Sequence, residues 1–335
     1  MTVPALLAAA ETHRLDSARI MLGLAAGNEL MCRLALTVPK GIHQAGFHPT
    51  AVLGTFAAAF GVAVACGSDP RVSANALGLA GSMASGIIEY LGDGSWTKRL
   101  HPGWSAHAGL KAHALAAAGF TGPRAVFEGE HGAFRAFAHP VTPASGRLFE
   151  DLGNRYVSDD ISFKPYPCGT MVQPYIDCAR ELRRRGIDAD EIDLITCETA
   201  EGIVHRLWEP LDLKRRPPTP YAAKFSVPFG IALGLHRGRA DLADFTAAAI
   251  ADPGLLALAG KVEYVIDADN PYPAAFTGHV RLRYKDGRVD EARQGFLRLD
   301  HLRRRVVIQE CGTSVVDQAV ADGLVAPQDV VAGGR

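Results

Sequence analysis

The chain is predicted to be mainly α-helical at its start and α+β after that, a helical domain followed by a smaller mixed one. Three observations carry this. Apolar residues recur at helical spacing through roughly the first 145 positions. From about residue 156 short alternating runs appear, and Asp286-Gly287 marks a hairpin turn. Hydrophobic residues make up 48% and charged residues 21% of 335, which is enough for a sizeable core and unlike a disordered chain.

In order, residues 5–11 and 16–32 read as helices, and Thr50 is placed to cap a third that runs to Ala65. Ser73 is read as the cap of a fourth, continuing toward Tyr90. The small residues between Gly78 and Gly86 predict close helix approach. They form neither a dinucleotide fingerprint, since no strand precedes them, nor a nucleophile elbow. Ser105–Ala118 is a further helix closed by Gly119. Beyond it, residues 160–164 are expected as a short strand, 170–185 as a helix, 192–199 as a strand, and 220–235 and 242–250 as helices. Residues 261–266 form a strand, and 278–284 with 288–293 a hairpin. The expected organisation is a helical domain over 1–150, an α+β domain over 156–297, and a C-terminal segment, 298–335, expected to return to the helical domain.

Lys and Arg total 35 against 36 Asp and Glu, so the basic excess expected of a nucleic-acid binder is missing. The six cysteines include no C-x-x-C, and the twelve histidines show no H-E-x-x-H or comparable spacing, so no metal site is expected. The start lacks the pattern of a secretory signal. The longest apolar stretch, 51–66, is shorter than a membrane span, and a cytoplasmic location without membrane attachment is expected.

The segment from Gly92 to Gly109 is chemically the richest. It holds Lys98, Arg99, His101, His107, Trp96 and Trp104, and Pro102 with its glycines is expected to keep it from being one continuous helix. Cations and imidazoles beside indole rings suit a small di- or tricarboxylate, and equally a surface turn. His48, in Gly-Phe-His-Pro-Thr just before a helix, is either a general base kept neutral by the helix dipole or a histidine packed under that helix. Lys164, in Phe-Lys-Pro-Tyr-Pro-Cys, is either an anion-binding corner residue or a surface lysine. Cys168 reads as a buried structural thiol, and Glu89 and Asp93 as solvated helix-end charges.

Six motifs in order resemble the MmgE/PrpD family: residues 46–50, 81–86, 93–103, 119–123, 164–168 and 224–228, within a span of roughly 3–297. That family includes 2-methylcitrate dehydratases, cis-aconitate decarboxylases and an iminodisuccinate epimerase. The resemblance implies an all-helical domain with a smaller α+β lid, a homodimer, a site in the cleft, and neither metal nor organic cofactor. It places His48, Lys98, His101 and Lys164 at active-site positions, and the neighbouring Thr97 and Arg99 are read as substrate-binding candidates. It also implies a preceding segment, with an Asp, a Thr and a His-Pro motif, that is not in this sequence. Phe229 stands where some decarboxylases carry a Tyr, and the pattern beyond about 298 differs. The expected activity is a dehydratase-type lyase acting on a 2-methylcitrate-like carboxylate. The alternatives are an epimerase, racemase or decarboxylase of the same family, or a shortened non-catalytic paralogue.

Overall fold

In a computed structural model of the chain, residues 1–90, 95–161 and 163–295 are described. Asp93 and the expected C-terminal segment 298–335 lie outside them. Two compact units divide at residues 161/162.

The first unit is helical. Its long helices are α1 (Thr2–His13), α2 (Ser17–Thr37), α3 (Pro49–Ala65), α4 (Pro70–Met83) and α5 (Thr97–Ala117). Asp16 caps α2 by accepting from the Arg19 N–H at 2.8 Å. α3 is buried nearly throughout and lies at the centre, packed against α1, α2, α4 and α5. Its small residues permit the close crossings. A Cβ on Gly23 of α2 would stand 2.5 Å from the Gly61 carbonyl oxygen of α3. Gly78 serves α4 likewise against the chain at Gly122, where a Cβ would come within 2.7 Å. Two apolar clusters result, one around Leu34, Phe56 and Phe134, the other around Leu6, Val62 and Ala106.

Several local expectations are corrected. α3 takes His48 as its N-cap, which puts Thr50 inside the first turn. α4 begins earlier than Ser73, because Asp69 accepts from the Arg71 N–H at 2.7 Å and Pro70 occupies the first position. Pro102 does not divide the Lys98 segment: α5 runs through it. Proline's fixed φ is helical, and so close to the helix start it deprives only the Lys98 carbonyl of its donor. At the far end, Gly119 has φ +92° and the Phe120 N–H donates to the Leu115 carbonyl at 2.9 Å, the glycine stop expected there.

Of the described helices, only Ser17–Thr37 is long and apolar enough, by length and composition, to cross a membrane. Its middle, however, carries a buried ion pair. Arg33 Nε lies 2.6 Å from Glu29 Oε1. Arg33 also donates to the carbonyls of Leu148, Glu150 and Arg155, and Glu29 accepts from the N–H groups of Val157 and Ser158. This node fastens residues 148–158 to α2. Burial tends to raise the Glu29 pKa, but hydrogen bonds from Ser158, Arg33 and Val157 outweigh it and hold the carboxyl below its ordinary value. Val3, Leu7, Met21 and Leu22 of α1 and α2 are more than half exposed.

The second unit is a mixed four-stranded sheet with helices. Its longer elements are α6 (Gln173–Arg184), β1 (Ile192–Thr199), α7 (Val227–Arg237), α8 (Pro253–Gly260), β2 (Val262–Ile266), β3 (Gly278–Tyr284) and β4 (Val289–Gln294). The order is β2-β1-β3-β4, with β1 and β2 parallel and the other pairs antiparallel. Along β1, Ile195, Cys197 and Thr199 are buried while Leu194, Thr196 and Glu198 are half-buried, the alternation the sequence predicts. The hairpin turns at Gly287, φ +88°.

Here too the sequence reading needs correction. Among the described residues of 160–164 no strand forms: Val157–Asp160 is a 3-10 turn, and Phe163 and Lys164 are irregular. The expected helix 220–235 is two helices, Pro220–Ala223 and α7, because Ser226 caps a new start by accepting from the Phe229 N–H at 3.0 Å. Pro228 then falls in the first turn, where proline costs nothing. Helix α8, capped by Asp252, went unread.

Candidate functional site

The helical unit draws two of the four sequence-selected residues into direct contact. His48 Nδ1 lies 2.9 Å from His101 Nδ1. Local structure explains why. Phe47 and Ile87 form an isolated antiparallel bridge, and the His48 N–H donates to the Gly86 carbonyl at 2.8 Å. This fixes His48 at the entrance of α3. Gly86 has φ +117°, and a Cβ there would stand 2.5 Å from the Ala51 Cβ and 3.3 Å from His101 Nε2. Only glycine lets the loop pass this close to the imidazole pair.

His101 is held from the α5 side. Lys98, His101 and Ser105 follow one another at i, i+3 and i+7 and share a helix face. Ser105 is buried and its hydroxyl lies within hydrogen-bond distance of the Ala51 carbonyl, 2.7 Å, and of the His101 carbonyl, 2.8 Å. Because α5 continues through Pro102, Lys98 comes to the same place as the two histidines. Tyr90 completes the cluster. Its ring meets His48 edge-on at 5.9 Å and His101 at 5.7 Å, and Lys98 Nζ sits 5.5 Å from its centroid.

Electrostatics keep the pair uncharged. Burial, then the Lys98 ammonium, then His101 and His43 lower the His48 pKa to about 4. Burial and Lys98 lower that of His101 as well. A 2.9 Å contact between two Nδ1 atoms requires one to donate and the other to accept. In the neutral pair, the ring with the Nδ1–H therefore has a basic Nε2, and its partner has an Nε2–H. The arrangement couples one proton acceptor to one donor beside an ammonium that can hold a carboxylate.

The other selected residues are placed as follows. Thr97 opens α5, with its hydroxyl 3.3 Å from Ser95 Oγ. The Arg99 guanidinium lies over the exposed Trp96 ring at 4.9 Å. Trp104 stacks on His107 at 5.6 Å on an exposed part of the helix. Lys164 belongs to the second unit, where its Nζ lies 3.5 Å from the Cys168 carbonyl. Cys168 is buried there, and burial pushes its thiol up to about 12 despite the opposing pull of Lys164 and Lys224, as suits a structural rather than a nucleophilic cysteine. Close by in sequence, Tyr166 donates to Asp177 at 2.5 Å and accepts from Arg180 at 2.6 Å, which braces the Lys-Pro-Tyr-Pro turn against α6. A surface cavity of about 390 Å³ in the helical unit, bordered by Phe127, Glu130, Arg135 and His139, includes none of His48, Lys98 or His101.

Sequence reasoning missed Tyr90, Gly86 and Ser105 as parts of this cluster. Ser105 was within reach, since it follows His101 by four residues once the helix is allowed to cross Pro102. Nothing local marks Tyr90, which reaches the histidines through the fold.

Comparison with known proteins agrees with this architecture. Residues 1–144 match the MmgE/PrpD N-terminal domain and residues 166–310 the MmgE/PrpD C-terminal domain. A cis-aconitate decarboxylase-like protein of Aspergillus oryzae is 25% identical over 313 residues, covering 86% of this chain and 64% of that protein. A cis-aconitate decarboxylase of Aspergillus terreus is 26% identical over 267 residues, covering 72% of this chain and 52% of its own length. The chain thus spans less than two thirds of the curated relatives it matches. With both domain matches in sequence order, the chain belongs to the MmgE/PrpD family.

Proposed function

We propose that the chain is a lyase of the dehydratase type acting on a small di- or tricarboxylate, through proton transfer at the carbon next to a carboxylate. The observation that carries this is the His48–His101 contact beside Lys98. One imidazole Nε2 takes the C–H proton. The electron pair moves into the adjacent carboxylate, whose developing charge Lys98 stabilises, and then forms the C=C bond as the β-C–O bond breaks. The proton shared between the two Nδ1 atoms crosses to the partner ring, whose Nε2–H protonates the departing hydroxyl, and water leaves, so that both rings end neutral with their tautomers exchanged. Well-placed general acid–base groups contribute ~10²–10⁴-fold each, and a charge-stabilising donor ~10²–10³-fold. Lys164 is retained as a carboxylate-binding candidate on family resemblance, and Thr97 and Arg99 as weaker substrate contacts. The family resemblance also supports a homodimer, which sedimentation would read directly.

A second reading, decarboxylation of a cis-aconitate-like substrate, is favoured by the similarity to the two Aspergillus proteins, a cis-aconitate decarboxylase-like protein and a cis-aconitate decarboxylase. In it the C–CO₂ bond breaks in place of C–H and C–O, and the Nε2–H of the paired imidazoles delivers to the carbanion a proton that solvent replaces.

Proton NMR in D₂O with 2-methylcitrate-like and cis-aconitate-like substrates separates these readings. A new alkene with loss of the hydroxyl supports dehydration. Release of CO₂ with deuterium entering the product supports decarboxylation. Exchange of the α-proton without an alkene would point to an epimerase instead. A preparation in which His48→Ala turns over as fast as the unaltered chain defeats the assignment of His48, and absence of turnover on every tested carboxylate favours a binding protein.

A further inference from the structure

A second cluster of ligating side chains lies elsewhere in the helical unit, among residues the reaction above does not use. His13 in the last turn of α1, Cys66 at the end of α3 and His113 in α5 each offer a ligand atom, and all three atoms lie within 4.8 Å of one another. They are 53 and 47 residues apart in the sequence, so no short spacing motif could reveal them.

We infer that these three residues form a binding site for a single zinc-class divalent ion, a clip joining the ends of three helices. The donor set is two imidazoles and one thiolate, which suits a borderline-soft metal and not calcium or magnesium. Bonds of about 2.0–2.3 Å in a tetrahedron put ligand atoms roughly 3.3–3.6 Å apart, so closure needs side-chain movement on the order of 1 Å at the widest pair. His13 is exposed and can make that movement, while its ring already meets His113 edge-on at 6.3 Å.

The other two residues are held in place. The Ser68 N–H donates to the Ala63 carbonyl at 2.9 Å and Gly67 turns at φ +66°, which fixes Cys66 at the helix end. Ser68 Oγ lies 2.8 Å from His113 Nε2 and orients that buried ring, the kind of outer hydrogen bond that metal-ligating histidines use. The exposed His13 side leaves a fourth position to water. Burial holds the Cys66 thiol above its ordinary value, and the Arg19 guanidinium, which stands by Gly67, opposes this only in part while disfavouring a bare cation, so the metal itself has to draw out the thiolate. On binding, the Cys66 thiol loses its proton to solvent and both imidazoles bind neutral.

The test is cobalt(II) titration of the full chain, kept reduced by a phosphine. The expected result is one equivalent bound, with a near-ultraviolet thiolate-to-cobalt charge-transfer band and intense visible bands of tetrahedral cobalt, both abolished by zinc. Cys66→Ser should lose the charge-transfer band, and His13→Ala, at an exposed position that leaves the core intact, should weaken binding roughly tenfold or more. Zinc should raise the Tm of the unaltered chain and not that of Cys66→Ser. A charge-transfer band that survives in Cys66→Ser would overturn the proposal. So would cobalt binding without any such band, or binding unchanged by His13→Ala but lost in His101→Gln.

Discussion

His48 should be uncharged throughout the physiological range, and this can be read residue by residue. Its pKa is lowered from 6.5 to about 4, first by burial and then by Lys98. At pH 7 a histidine of pKa 4 is protonated in about one molecule in a thousand, against roughly one in four at 6.5. Histidine-selective NMR against pH should therefore show one ring, assigned by its loss in His48→Gln, that titrates far below the ordinary histidine value of 6.5. Lys98→Met should move that midpoint upward only in part, because burial outweighs the ammonium. A dicarboxylate bound beside Lys98 should also move it upward by offsetting the same charge. Stability follows with a definite sign. The folded-state pKa lies below the unfolded value, so the unfolded chain takes the proton first as the pH falls. The His48 contribution is complete above about pH 6.5 and is lost as the pH falls to about 4. A His48 midpoint near 6.5 in the folded chain would refute both the buried pairing and the proton-transfer role drawn from it.

Other perturbations test the scaffold. Gly86→Ala puts a Cβ against Ala51 and His101 at positive φ, and should cost ~1–3 kcal/mol in urea unfolding and disturb the His48 titration; a neutral substitution would mean that the loop does not pack as described. Arg33→Ala strands the buried Glu29 and removes donors from three carbonyls; a loss of ~3–5 kcal/mol is expected, with protease sensitivity appearing near residues 148–158, and Glu29→Gln combined with Arg33→Met should recover part of it. Ser226→Ala removes the cap that starts α7 and should lower stability by about 1 kcal/mol, whereas Ser73→Ala, at a position that does not cap α4, should fall well short of that in the same assay.

Much of the architecture was legible because it is locally encoded. Helical apolar spacing marked the helices, alternation marked β1, and Asp286-Gly287 marked the hairpin. Caps were read less well, since Asp69 and Ser73 compete as starts of α4 and only the placement of Pro70 decides between them. Proline misled in both directions. Pro102 was read as a break yet lies inside a helix, and Pro228 was read inside a helix yet marks a new start. In each case the outcome depends on how many residues separate the proline from the helix start, and only the folded chain fixes that count. The order β2-β1-β3-β4 was likewise out of reach, because strand neighbours are chosen by side-chain packing across long sequence separations.

The sequence alone singled out the candidate site residues His48, Lys98, His101 and Lys164, set in motifs dense enough to point to one family. Tertiary structure decided that His48 and His101 share a hydrogen bond, that Tyr90 and Gly86 enclose them, and that His13, Cys66 and His113 meet. The physical reason is distance along the chain. A cap, a turn or a helical face is set by residues within a few positions of one another, whereas a shared proton or a metal's ligand sphere is set by side chains some fifty residues apart. Those meet only when α3, with its small residues, lets its neighbours pack closely around it.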